Sequence, residues 1–177
     1  MDWSDRSTCV LFGDGAGALV LESRPGNGDK NDRGILSTDL NSDGRYNDLL
    51  YVDGGVSSTQ SAGVLRMQGQ EVFKHAVVKL AESGETAMAK AGITADEIDW
   101  IVPHQANLRI ITRTAHKMGV PMTRVVVTVQ DHGNTSAASI PLALSVARAR
   151  GQIKDGDMLL MEAIGGGLAW GAATMRW

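Results

Sequence analysis

Val102-Pro103-His104-Gln105-Ala106-Asn107-Leu108-Arg109 is the stretch on which the reading of the fold turns. The apolar run Trp100-Ile101-Val102 that leads into it has the composition of a buried strand end. Pro103, with no N–H to give, stops the ladder. His104 and Gln105 then fall at the strand's carboxyl end, and a helix is expected from about Asn107. Ligand sites in open α/β sheets lie just past such strand ends, which makes a polar, titratable pair there a site candidate. A histidine that merely hydrogen-bonds a loop is the plainer alternative. A second polar cluster, His132-Gly133-Asn134-Thr135-Ser136, occupies an equivalent strand-to-helix position and strengthens the site reading.

The chain has 177 residues, enough for one domain with a real core. Its apolar share of 43% and charged share of 21% are those of an ordinary globular protein. No run approaches the roughly 18 apolar residues of a membrane span. The polar, acidic start Met1-Asp2-Trp3-Ser4-Asp5-Arg6 does not read as a secretory signal. A single cysteine, Cys9, excludes an internal disulfide framework and fits a reducing cytoplasm. A net charge of −3 argues against general nucleic-acid binding. The chain enters an apolar run almost at once, as if something preceded it.

Cys9–Phe12 and Ala18–Glu22 read as two strands joined by a tight hairpin at Gly13-Asp14-Gly15-Ala16-Gly17. That glycine run lacks the Gly-Lys-Ser/Thr of a phosphate loop and the following helix of a dinucleotide loop. Gly34–Leu40 reads as a third strand, and residues 41–65 as a long loop without period. From about Gln70 the apolar steps of three and four predict a helix closed by Gly92 at C′. Thr94-Ala95-Asp96-Glu97 fits a capping box. Leu108, Ile111, Ala115 and Met118 form the expected buried stripe of the next helix, ended by Gly119. Arg109, Arg113, His116 and Lys117 share its other face, uninterrupted by acid. Either a solvated face or a docking patch for an acidic partner or phosphate accounts for them. Arg124–Thr128 is strand-like, Ala137–Ala149 a core helix apolar almost all round, and Met158–Ile164 with Ala172–Trp177 a terminal antiparallel pair. The turn Gly165-Gly166-Gly167 reads either as plain flexibility or as backbone N–H groups approaching something closely. His75, His116 and His132 lie on separate elements without ligand spacing, so no metal site is expected.

Five segments in order resemble the carboxyl-terminal half of β-ketoacyl-acyl carrier protein synthase III, a thiolase-like condensing enzyme. They are FGDGAGALVLE at Phe12–Glu22, EVFKHAV at Glu71–Val77, VPHQANLRII at Val102–Ile111, HGNTSAASIPLAL at His132–Leu144 and GGGLAWGA at Gly165–Ala172. The resemblance covers residues 1–177 as one half-domain. It implies one half of a five-layer αβαβα fold, with a mixed five-stranded sheet and helices on both faces.

In that family a cysteine is acylated by acyl-CoA, and malonyl-acyl carrier protein then loses CO2 and attacks the acyl-cysteine. The resemblance places the catalytic roles on His104 and Asn134, as donors to the enolate oxygen that decarboxylation creates. A neutral imidazole N–H and an amide NH2 are expected to fill that role without moving a proton. The N–H of Gly166 is expected to serve the tetrahedral oxyanion at the cysteine. Asn134, where a second histidine stands in elongating relatives, favours the CoA-primed type. Gln70, Ala106 and Asn107 are implied at the pantetheine arm. Gln105, Arg109 and Lys74 are implied against the acidic carrier protein, and the shared helix face extends that set to Arg113 and Lys117. Such docking weakens steeply with salt.

The partners implied are acyl carrier protein, a CoA thioester, an amino-terminal half carrying the nucleophile, and a second copy in a homodimer; no cofactor, nucleic acid or membrane is implied. Ile164 and Leu168 stand where many relatives carry phenylalanine, and Gln70 where asparagine is frequent. An isolated half is expected to expose apolar surface and to aggregate, dimerise or need its partner. Two rival readings are a non-catalytic carrier-protein-binding module and a hydrolase using Cys9, His104 and Asn134.

Overall fold

The computed structural model describes residues 1–177. Six strands and four helices follow in chain order: β1 Gly34–Ser42, β2 Leu50–Val52, β3 Leu65–Met67, α1 Gly69–Ala91, β4 Trp100–Pro103, α2 Leu108–Lys117, α3 Val129–His132, α4 Ser139–Ala149, β5 Met158–Gly165 and β6 Ala169–Arg176. Four strands form one mixed sheet in the order β1-β6-β5-β4. β5 pairs antiparallel with β6 and parallel with β4, and β6 pairs antiparallel with β1.

The apolar run Met158-Leu159-Leu160 becomes a central strand because both of its faces are covered. Alternate residues point to opposite sides. Met158 and Leu160 join Ala81, Met88, Ile101 and Ile111 in the core under α1 and α2. Leu159 joins Val102, Val126, Ala143 and Leu144 in the core under α4. Helices therefore lie on both faces, as the resemblance implies.

The long helix α1 ends at Gly92, which takes the left-handed conformation (φ 66°) expected of a C′ glycine and returns its N–H to the last turn. Gly84, midway along it, faces the sheet. A Cβ there would stand 3.0 Å from the Met118 sulfur and 3.3 Å from Leu160, so a larger residue would press these side chains aside by a few tenths of an ångström. The capping box at Thr94 and Glu97 forms as the sequence predicts.

Four expectations are corrected. The sheet has four strands, not five: Arg124–Thr128 runs beside β4 but makes only a single bridge, Val125 to Ile101, with Val126 N–H donating to the Ile101 carbonyl. The reason is Gln105. Its side-chain amide donates to the Val126 carbonyl and accepts from the N–H groups of Thr128 and Val129, so a side chain replaces a neighbouring strand.

The hairpin expected over Cys9–Glu22 does not form. Residues 6–11 are turns, Phe12 makes one bridge to Asn134, and residues 13–27 have no regular structure. The glycines of this stretch instead let the chain lie along the start of α4. A Cβ on Gly17 would be 2.6 Å from Pro141, and one on Gly15 would be 2.9 Å from Leu142.

Residues 41–65 are less irregular than their composition suggests. They hold a turn of 3-10 helix at Gly44–Leu49, and β2 and β3 form a two-stranded ribbon. Leu108, placed in the buried stripe of α2, is 52% exposed, while Ile110 and Thr114 take positions in the buried face.

Candidate functional site

The parallel pair β4 and β5 delivers two carboxyl ends to one edge of the sheet, with Pro103 in register with Glu162. His104 follows the last residue of β4, and its N–H donates to the Glu162 carbonyl at 2.7 Å. Gly166 follows the last residue of β5, beyond the final ladder pair Gly165–Ala169. It packs so closely on the Leu50 carbonyl that a Cβ would come within 2.7 Å, which explains one of the three consecutive glycines.

The His104 ring is largely buried, and that burial pushes its pKa down to about 4, so it is neutral at pH 7. Its Nδ1 lies 2.6 Å from Ser139 Oγ, in the first turn of α4. The same Oγ accepts from the Gln105 N–H at 3.2 Å and lies 2.8 Å from the Ser136 carbonyl, an acceptor. Ser136 in turn donates its N–H to Asn134 Oδ1 at 3.0 Å. Asn134 and His104 are thus tied to one short segment, Ser136–Ser139, and the Asn134 amide is fixed with its NH2 end free.

The Asn134 backbone is pinned as well. Its N–H donates to the Leu11 carbonyl, and its own carbonyl accepts from Gly13 N–H. Gly13 presses on the His132 carbonyl with no room for a side chain, and Gly133 turns the loop at φ 68°. Gly13, expected in a hairpin turn, therefore positions Asn134 instead.

Gln70, Lys74, Asn107 and Arg109 line one cavity of about 490 Å3 together with Gly69 and Phe73. An adjoining groove of about 620 Å3 between α1 and α2 is lined by Lys74, Val77, Leu108, Arg109 and Arg113, among others. The Arg109 guanidinium sits over the Phe73 ring at 5.3 Å, and Lys74 pairs with Glu71 at 2.7 Å. Asn107 also caps α2, accepting from Ile110 N–H at 2.9 Å. Leu108 is exposed because it opens the helix over this groove. Ala106 packs with Ala76, Leu80 and Ile110 behind the cavity. Lys117 is exposed one turn beyond Arg113, outside both hollows.

Gln105 is a correction. It is 1% exposed, and its amide is fully engaged with Pro103, Val126, Thr128 and Val129, so it is a strut and has no free face for a carrier protein. Cys9 lies in the turns before Phe12, not on a strand, and the His104 nitrogen available to a hydrolase triad through Nδ1 is already engaged by Ser139.

Three roles escaped the sequence reading. Ser136 stood in the polar cluster with Asn134 without a role of its own, and Ser139 carried no signal. Glu162 did carry one, as the lone acid in the apolar run MLLMEAIG. It is buried beside Gly84, its Oε2 has no partner, and burial pushes its carboxyl up to about 8, so it is protonated at neutral pH.

The 3-oxoacyl-[acyl-carrier-protein (ACP)] synthase III C-terminal domain matches residues 88–177, and the 3-oxoacyl-[acyl-carrier-protein (ACP)] synthase III domain matches residues 1–44. Over all 177 residues the chain is 72% identical to the β-ketoacyl-[acyl-carrier-protein] synthase III of Dinoroseobacter shibae and 74% identical to that of Ruegeria pomeroyi. It spans 55% and 54% of those proteins, about half the length of the relatives it matches. Among solved structures, 3-oxoacyl-[acyl-carrier-protein] synthase III from Aquifex aeolicus superposes with a TM-score of 0.89 at 45% identity, over 99% of this chain and 53% of that one. The corresponding enzyme from Pseudomonas aeruginosa superposes with a TM-score of 0.88 at 40% identity, over 98% and 53%. The chain belongs to the 3-oxoacyl-[acyl-carrier-protein] synthase III family, of which it has the thiolase-like carboxyl-terminal half.

Proposed function

We propose that this chain is the carboxyl-terminal part of a condensing acyltransferase that starts fatty-acid synthesis from acyl-CoA and malonyl-acyl carrier protein. The nucleophilic cysteine comes from the amino-terminal half, and the complete enzyme is a cytoplasmic homodimer. The observation that carries the reading is the joint anchoring of His104 and Asn134 by Ser136–Ser139 at the carboxyl edge of the sheet.

Loss of CO2 from the malonyl thioester sends the electron pair of the broken C–C bond into the thioester carbonyl. The resulting enolate oxygen lies between His104 Nε2, protonated for this step, and the Asn134 NH2. The enolate carbon attacks the acyl-cysteine carbonyl, and the tetrahedral oxyanion meets the Gly166 N–H before the C–S bond breaks. Donors fixed in advance and partly shielded from water act most strongly on such developing charge. The cavity lined by Gln70 and Asn107, with Ala106 behind it, takes the pantetheine arm. Lys74, Arg109, Arg113 and Lys117 steer the acidic carrier protein, an attraction that salt weakens.

The test is complementation: the chain is mixed with the separately made amino-terminal half of a close relative, and condensation of acyl-CoA with malonyl-carrier protein is assayed. Activity is expected, with His104→Ala and Asn134→Ala each lowering it about a hundredfold or more. A mixture that associates yet stays inactive would replace the enzyme reading with a carrier-protein-binding module.

A further inference from the structure

We propose that Ser139 is a positioning residue that holds the proton of the resting His104 ring on Nδ1, leaving Nε2 as a bare acceptor towards the site. The catalytic consequence, though not the assignment itself, rests on the condensing-enzyme reading above.

Ser139 Oγ has one hydrogen and three neighbours within hydrogen-bond distance: His104 Nδ1 at 2.6 Å, the Gln105 N–H at 3.2 Å and the Ser136 carbonyl at 2.8 Å. Gln105 N–H can only donate and the Ser136 carbonyl can only accept. If the hydroxyl turned to Nδ1, Oγ and the Ser136 oxygen would face each other at 2.8 Å with no hydrogen between them. With the hydroxyl on Ser136, the two lone pairs of Oγ take the Gln105 N–H and an Nδ1–H, and all three contacts are satisfied. A neutral imidazole has a single N–H, so Nε2 is then bare.

Ser136 completes the unit. Its left-handed backbone (φ 53°), uncommon outside glycine, turns its N–H onto Asn134 while its carbonyl receives Ser139. One serine pair thereby orients the amide of Asn134 and the ring of His104 together.

Condensation consumes one proton overall. In this scheme Nε2 takes that proton from solvent, presents it to the enolate oxygen, and gives it to the cysteine thiolate as the C–S bond breaks. His104 returns to the Nδ1–H form, so the ring does move a proton, contrary to the expectation from residue types.

The experiment is a long-range proton–nitrogen NMR spectrum of the chain labelled with nitrogen-15 histidine, recorded near neutral pH, with His104 assigned by comparison with His104→Asn. The wild type is expected to show the Nδ1–H pattern. Ser139→Ala is expected to shift the tautomer ratio about tenfold or more towards Nε2–H, the loss of one hydrogen bond, and Ser139→Thr to restore it. An Nε2–H pattern in the wild type, or a ratio unchanged in Ser139→Ala, would overturn the proposal. If Ser139→Ala does not fold, the wild-type and Ser139→Thr spectra decide by themselves. An Nδ1–H pattern in a chain that fails to complement would keep the assignment and remove only its role in condensation.

Discussion

Two apolar runs of this chain meet opposite fates. Met158-Leu159-Leu160 disappears into β5, flanked by β4 and β6 and covered by helices on both faces. Leu19-Val20-Leu21 is equally apolar and remains 54%, 97% and 74% exposed, with no strand beside it. The difference is not in the segments themselves. Strand propensity expresses fit to a pleated, half-buried surface, and a surface must be present to be fitted. In a chain that spans about half the length of its relatives, the first run finds its neighbours and the second does not.

The comparison breaks most visibly at Leu160. The side chain is fully buried between α1, α2 and β4, and Leu160→Ala should remove about 3 kcal/mol from the unfolding free energy through lost burial and a residual cavity. Denaturant unfolding followed by circular dichroism measures it. A loss below about 1 kcal/mol would mean that the sheet and its two helix layers are not what holds the chain together.

Glu162 sharpens the same contrast, because it is a charge-bearing side chain inside the well-packed half. Its folded pKa of about 8 lies above the ordinary 4.5, so the folded chain keeps a proton that the unfolded chain loses. The contribution is fully present below about pH 4.5 and is lost as pH rises towards about 8. His104 acts in the opposite sense: with its pKa lowered from 6.5 to about 4, stability falls as pH falls through that window. The two slopes offset each other up to about pH 6.5, so wild-type unfolding midpoints should decline only from there to about pH 8. Glu162→Gln should lose that decline and show the His104 limb alone, rising from about pH 4 to 6.5, a change of a few kcal/mol. A Glu162→Gln profile parallel to the wild type would mean that the carboxyl reaches water.

How far the sequence could be read follows from the same physics. The helix from Gln70, its glycine cap, the capping box and the terminal strand pair were legible because each depends on neighbours within a few residues. His104 and Asn134 were legible as a pair through the resemblance, with both at the ends of elements. Arg124–Thr128 was misread as a fifth strand because its partner is a side chain, Gln105, whose burial no local pattern reveals. The same burial removed Gln105 from the docking surface. Ser139 was invisible for a related reason: a serine in a run of small residues acquires its part only when α4 brings it against His104.

The smallest effect on stability is expected where the contrast began. Leu19, Val20 and Leu21 make no strand pairing in this chain, so Val20→Ser with Leu21→Ser should change its unfolding free energy by less than about 0.5 kcal/mol. The effect on association should be of a different order. Exposed apolar chain with unpaired backbone is an adhesive edge, and sedimentation velocity should show less self-association in the double variant. If instead the double variant unfolds more easily and associates as before, then residues 19–21 already pack within this chain in solution, and the two runs differ less than their exposures indicate.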